Sequence, residues 1–389
     1  MGNSSLNTLA SESVNTRNSI LNIRHKELGS KLDGETWNGM PIPWSYHTNP
    51  HDEVIAVRTR AALYDVSALN IVNVTGPAAL TVLNQLVAID VTNLEPGTSR
   101  LAAEVNEEGA LVDDIMVICD GKERYRVSHG SGATQQTLAR LAEGQDVTIE
   151  QDMDVHILSL QGPRSIDVLR SADALDPPHM AIDLARLPYF KHVETKLFGC
   201  DVVIARGGYS GERGYEVYCH ADDAVHLWDS ILEKGHPYGV MPASWDSLDL
   251  TRIEAALLFF PYDMPEGDTT PWEVNMGWCV DLDKPGNYIG KEALLKLRGR
   301  ERFKQVGLVC QSSEAVEAGA KIIKDGKEIG VVTSASYSRY LMKSLAMVHL
   351  KPEFSQLGTQ VLIVGETPVK AHVVKTPFYD PMRLRTHPE

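Results

Sequence analysis

Val-Asn-Val-Thr-Gly-Pro-Ala-Ala-Leu at residues 72–80 and Leu-Ser-Leu-Gln-Gly-Pro-Arg-Ser-Ile at residues 158–166 carry one signal twice. In each, an alternating β-type run ends at Gly-Pro and an apolar stretch of helical spacing follows. Proline at the first helical position costs no hydrogen bond, because that N–H has no intrahelical partner. The order downstream repeats as well. IVNVTGP and the helical AALTVLNQL lead to a hairpin, ALVDDIMVICDGKERYRVS, at residues 110–128. HILSLQGP and RSIDVLRSA lead to CDVVIARGGYSGERGYEVYCH at residues 200–220, two strands around a glycine-rich turn, and then to the helical AVHLWDSILEKG. The duplicated order predicts an α+β fold of two similar halves, each a largely antiparallel sheet with helices on one face. The first hairpin is expected to turn at Cys119-Asp120-Gly121-Lys122, where Asp-Gly supplies the positive φ of a tight turn.

Working outward, the basic stretch KLRGRERFK at residues 296–304 reads as a solvated linker. After it come short β-type runs with turns at Asp325-Gly326 and Val364-Gly365, which predict a small C-terminal β-barrel. Toward the start, residues 1–35 are polar with loosely spaced Leu9, Ile20, Leu21 and Ile23, and predict one or two surface helices with little chemistry. The expected division is 1–35, an N-terminal helical extension; 36–295, two interleaved α+β subdomains; and 303–389, the barrel.

Composition narrows the function class. With 389 residues, 43% of them hydrophobic, the chain has material for more than one core without disulfide or metal staples. It has no apolar run of the roughly 20 residues needed to span a bilayer and no basic, apolar leader, so a cytoplasmic protein without membrane association is expected. A net charge of -15 opposes binding to nucleic acid or anionic lipid. The five scattered cysteines fit free thiols, and no Cys/His cluster has metal-ligand spacing. Nothing in the sequence specifies an oligomeric state.

Several stretches occur in a telling order: PIPWSY (41–46), AVRTRAALYDVSALNIVNVTGP (56–77), GALVDDIMV (109–117), LQGP, GGYSGERGYEVY (207–218), LTRIEAALLFFPYDM (250–264), TTPWEVNMGW (269–278), YIGKEAL and TPFYDP. In these motifs the chain resembles the glycine-cleavage T-protein (aminomethyltransferase) family across residues 41–381. The resemblance implies a three-domain cloverleaf around a central channel that takes tetrahydrofolate with its pterin buried.

Residue roles follow from the same resemblance. Glu216 matches the glutamate that hydrogen-bonds the pterin, a task for which a carboxylate suits two adjacent ring donors. Asp113 matches the catalytic aspartate beside folate N5, with Asp114 expected on the opposite face of its strand. His129 follows the hairpin, where a group titrating near neutrality can act as acid or base. Tyr262, before the channel-lining TTPWEVNMGW, is a further candidate proton donor. Tyr209, Arg252 and Trp278 are expected on the cofactor, with Trp272 and Tyr46 as further aromatic wall. Gly207, Gly208, Gly211 and Gly214 form a tight turn that lets the main chain approach the pterin.

The chain also departs from the family pattern. VSAL (66–69) stands for VSHM, RLAAEV (100–105) replaces a segment with a folate-facing tyrosine, and Leu248 replaces an arginine while Arg252 is kept. These changes surround the transferred carbon and resemble the tetrahydrofolate-dependent demethylase branch. The implied reaction is methyl transfer from a small methylated donor, such as an aryl methyl ether or a sulfonium compound, to N5 of tetrahydrofolate. The alternatives are a glycine-cleavage-type aminomethyltransferase forming 5,10-methylenetetrahydrofolate and a non-enzymatic folate-binding protein. NYIGKEAL (287–294) has no cysteine of the kind the iron-sulfur-assembly relatives carry, which counts against the last.

Overall fold

The computed structural model describes residues 17–130, 133–171 and 173–387. Two sheets and a barrel account for most of its strands. In the first sheet the strands run Thr98–Val105, Leu111–Gly121, Arg124–His129, Asn70–Thr75 and Thr148–Gln151. In the second, His192–Leu197, Cys200–Arg206, Gly214–His220 and Val155–Gln161 stand in the same relative order, followed by Ala61–Asp65 and Val240–Pro242. Each half therefore places the strand before its Gly-Pro beside the last strand of its hairpin, as the repeat predicts. The halves interleave, because Ala61–Asp65 precedes the first repeat in the chain yet pairs in the second sheet.

The repeated Gly-Pro is one device used twice. Gly76 and Gly162 have φ of +122° and +129°. A Cβ would stand 2.7 Å from the Asp146 carbonyl oxygen at Gly76 and 2.5 Å from the Arg60 carbonyl oxygen at Gly162, so only glycine fits. The prolines sit two residues earlier than the sequence suggests, ahead of helices that begin at Ala79 and Ser165. A turn closed by Ala79 N–H on Gly76 O, and by Ser165 N–H on Gly162 O, precedes each helix, and Pro77 and Pro163 fill its second position.

Each sheet buries one face under helices. Ala79–Leu86 and Ala133–Ala142 cover the first, around Val82, Leu83, Ile115, Val117 and Leu138. Ala221–Gly235 covers the second with Leu227, Trp228 and Ile231. Fully burying each such side chain is worth about 1.5–3 kcal/mol. The barrel closes in the order Lys304–Cys310, Lys343–Leu350, Lys327–Ser338, Lys321–Lys324, Gln360–Ile363 and Val369–Val374. Its Asp325-Gly326 turn has positive φ at both positions, 50° and 75°, as a two-residue hairpin needs.

Three expectations change. The first hairpin turns at Lys122 and Glu123, with the positive φ at Glu123, because a bulge between Cys119 and Gly121 sets Asp120 out of register. The basic linker is partly anchored, since Arg302 Nε donates to Glu273 Oε1 at 2.8 Å. The N-terminal segment is not a surface appendage: Leu21 and His25 are fully buried, and His25 Nε2 lies 2.9 Å from Asp65 Oδ2. Leu9 lies outside the described residues. The cysteines are free thiols, as expected.

Candidate functional site

The two sheets turn their other faces toward a cavity of about 250 Å³, with Pro50–Thr59 and Trp245–Glu254 packed on part of that face of the second sheet and Trp245 and Leu248 in the lining. Strand alternation decides who lines it. On Leu111–Gly121, Asp114, Met116 and Ile118 face the cavity while Ile115, Val117 and Cys119 pack under the helices. Arg126 and Ser128 continue the lining on the next strand, and the second sheet supplies Ser159, Ala205, Glu216 and Tyr218.

Glu216 stands directly between Ala205 on one neighbouring strand and Ser159 on the other. Those two short side chains leave the space above the carboxylate open. Burial pushes its carboxyl up, and the Tyr218 hydroxyl, donating to Oε2 at 3.3 Å, opposes that shift.

Asp113 is 1% exposed, at the inner end of its strand. Its Oδ1 accepts from the Asp114 N–H and its Oδ2 from the Gly130 N–H, both at 2.9 Å, and His129 Nδ1 lies 3.9 Å from Oδ2. His129 is buried and also lines the cavity. Asp114, on the opposite face of the strand as expected, also lines the cavity. Burial and the adjacent Asp113 charge push it well above the usual carboxylate range.

Of the proposed site residues, Asp113, His129, Glu216 and Tyr209 meet at the cavity; Arg252, Trp278 and Tyr262 do not. Tyr209 is a wall, because its hydroxyl donates to the Leu258 carbonyl. The Arg252 guanidinium is consumed by the protein: Nη1 on Asp263 Oδ2 at 2.6 Å, Nε on Asp249 Oδ1 at 2.8 Å and Nη2 on Ser334 Oγ at 2.9 Å. Tyr262 stacks on the outer side of Phe259, with ring centroids 5.3 Å apart, and Trp278 is 61% exposed. Trp272 and Tyr46 are likewise elsewhere, donating to Leu294 O and meeting His25 Nδ1. The aromatic wall is built instead from Trp37, Phe190, Phe259 and Phe260, with Trp37 and Phe259 centroids 5.0 Å apart.

The glycines of the turn also serve close packing within the protein. Cβ atoms on Gly208 and Gly214 would both collide with the Gln161 amide, and one on Gly211 would meet Ala255 Cβ at 2.5 Å. Gln161 in turn donates to Gly207 O at 3.1 Å and accepts from Ser210 Oγ at 2.6 Å, so the turn wraps a buried amide. Only Gly207 of the four has open space where a side chain would project.

Sequence reasoning missed Trp37, Arg126, His192 and Tyr218. Period-two alternation with Asp114 was a signal for Arg126, and the Glu-x-Tyr spacing was one for Tyr218. Trp37 comes from a distant segment with no such pattern. Among the described residues, no group of three or more His, Cys, Asp or Glu is placed to hold a metal ion, and no helix is long and apolar enough to cross a membrane.

Comparison with known proteins agrees with this architecture. Residues 21–284 match the family described as the GCVT N-terminal domain, and residues 304–380 match the glycine cleavage T-protein C-terminal barrel domain. The chain is 39% identical over 378 residues to the heme-dependent oxidative N-demethylase gamma subunit of Ectopseudomonas mendocina, covering 95% of this chain and 97% of that one. It is 34% identical over 364 residues to the aminomethyltransferase of Bacillus subtilis, covering 91% and 97%. The crystal structure of glycine cleavage system aminomethyltransferase T from Bartonella henselae superposes with a TM-score of 0.83 at 25% identity, over 94% of this chain and 99% of that one. With both halves of its architecture matched along nearly its whole length, the chain belongs to the glycine-cleavage T-protein (GCVT) family.

Proposed function

We propose that this chain is a tetrahydrofolate-dependent one-carbon transferase that draws its carbon from a small methylated compound. The observation that carries the reading is Glu216, a carboxylate held open to the cavity between Ala205 and Ser159. One such carboxylate can accept the amino group and the ring N–H of a pterin in parallel. Trp37, Phe259 and Phe260 offer flat apolar walls to the ring.

Tetrahydrofolate would supply N5 as the acceptor of the carbon. Asp113, oriented by two backbone N–H groups, and His129 beside it would take up the proton that N5 loses. Asp114 is the better-placed proton donor to a departing oxygen, since it lines the cavity and burial favours its neutral form, whereas the Tyr209 hydroxyl is engaged and Tyr262 does not line the cavity. Transfer from a methyl ether or sulfonium needs no oxidant. Bound there, tetrahydrofolate would supply the N5 lone pair for the new bond, the carbon-oxygen or carbon-sulfur electrons would go to the leaving atom, and Asp113 with His129 would take the N5 proton.

A second reading is favoured by the name of the Ectopseudomonas relative, an oxidative N-demethylase subunit. Here the carbon comes from an N-methyl group oxidised to the formaldehyde level by partner subunits, and leaves as 5,10-methylenetetrahydrofolate. Incubating the protein with tetrahydrofolate and, in turn, methyl ethers, sulfonium compounds, methylated amines and formaldehyde identifies the product. 5-Methyltetrahydrofolate supports the first reading and accelerated 5,10-methylenetetrahydrofolate formation the second; neither product from any donor sinks both. Glu216→Ala should weaken tetrahydrofolate binding by more than about tenfold, the cost of losing hydrogen bonds to a charged group. Unaltered affinity in a titration would remove Glu216 from the pterin site.

A further inference from the structure

A chain of side chains crosses from the first half to the second at the wall of the cavity. It begins at the hairpin bulge, which sets Asp120 out of register. Bulges re-aim a side chain, and this one turns Asp120 toward Arg126. Arg126 Nε and Nη2 meet Asp120 Oδ2 and Oδ1 at 2.6 and 2.7 Å, a bidentate pair with both side chains mostly buried. From the second sheet, His192 Nε2 reaches Asp120 Oδ1 at 3.1 Å, so the carboxylate is gripped from both halves.

The guanidinium so held lies over the ring of Tyr218, 5.0 Å from its centroid. Tyr218 and Glu216 are two apart on Gly214–His220 and so share a face of the sheet. The Tyr218 hydroxyl donates to Glu216 Oε2 at 3.3 Å. Glu216 therefore takes a side-chain hydrogen bond from a ring that a residue of the other half holds down.

Resting on the folate reading of Glu216, we propose that Arg126 is a positioning residue for the pterin carboxylate, acting through Tyr218. Three physical effects run in one direction. The cation over the ring fixes the plane of Tyr218 and with it the hydroxyl. Its positive charge makes the phenol a stronger donor. The bidentate pair with Asp120 removes the rotamer freedom that would otherwise let a long arginine wander. Glu216 is thereby aimed, and the hydroxyl offsets part of the burial that favours its neutral form. The same contacts make the folate site depend on correct docking of the two halves, since Arg126 and Asp120 come from one and Tyr218 and Glu216 from the other.

The test is a double-mutant cycle on tetrahydrofolate affinity in the full chain, with Arg126→Met, Tyr218→Phe and the pair together. Tyr218→Phe is nearly isosteric and removes only the hydroxyl; it should weaken binding about tenfold, the low end for a hydrogen bond to a charged group. Arg126→Met should cost a similar factor. If Arg126 acts through Tyr218, the double variant should be no more than about twofold weaker than either single one, because coupled residues are not additive. Arg126→Lys keeps the cation and should recover part of the loss, and it replaces Arg126→Met in the cycle should that variant not fold. Additive losses, or wild-type affinity in Tyr218→Phe while Glu216→Ala is impaired, would overturn the positioning role alone. Wild-type affinity in Glu216→Ala would instead remove the reading on which it rests.

Discussion

The Gln161 amide occupies the volume that a side chain on Gly208 would need, with Gly214 giving way to it from the opposite side. The glycine-rich turn beside Glu216 is thus shaped around a buried polar group, fixed by Ser159, Gly207 and Ser210. Gly208→Ala should destabilise the protein by about 2–4 kcal/mol, combining overpacking with a Cβ at φ +147°. Urea unfolding measures this. Adding Gln161→Ala should return part of the loss, since the collision disappears; strictly additive losses would mean that the amide is not what excludes the Cβ.

Arg252 and Asp263 pair in the core, with side chains 4% and 0% exposed, and Ser334 of the barrel bonds both. Arg252→Met should cost about 3–5 kcal/mol, because it leaves a buried carboxylate without its cation. In protein that remains folded, tetrahydrofolate affinity should stay at the wild-type level. A loss of affinity without a loss of stability would return Arg252 to the ligand.

His129→Gln should lower turnover by roughly 10²-fold, the usual contribution of a positioned acid or base. Tetrahydrofolate affinity should be little changed, because Glu216 and the aromatic walls are untouched. Equal turnover in wild type and variant would exclude His129 from proton transfer.

Glu104 gives a pH dependence of definite sign. It is 1% exposed, lies directly across from Asp113 and accepts from Thr134 Oγ1 at 2.6 Å, while its Oε1 has no partner among the described residues. Burial, with a contribution from the Asp113 charge, raises its carboxyl from 4.5 to about 7. A carboxyl raised on folding contributes stability that is fully present below its unfolded value and lost as pH rises through its folded value. Stability should therefore fall by about 3 kcal/mol between roughly pH 4.5 and 7 on this account, at 1.36 kcal/mol per unit. Glu104→Gln should flatten that part of the profile in urea titrations at stepped pH. An unchanged slope would mean that Glu104 is already ionised in the fold.

The local signals were the legible ones. The two Gly-Pro turns and Asp325-Gly326 depend on φ values that neighbouring residues dictate, so the duplicated halves and the barrel could be read directly. The first hairpin turn moved by about two residues because Asp120 is drawn out of register toward Arg126 and His192, and His192 belongs to the other half. Alternation implied one buried and one solvated carboxyl at Asp113 and Asp114. The second sheet, which turns the solvated side into a cavity, comes from residues far along the chain.

Sequence by itself determined the family, the order of strands and helices, and the presence of Glu216 on a strand with Tyr218 two places on, because these are properties of pattern and spacing. Only the tertiary structure decided which charges are free for a ligand. Arg252 and Glu216 look equally available in the sequence. Arg252 is consumed by Asp263, 11 residues away, and by Ser334, 82 away, whereas Glu216 lies between two short side chains on adjoining strands and faces open space. A buried charge needs a partner, and whether the protein or a ligand provides it depends on contacts that the linear order does not contain.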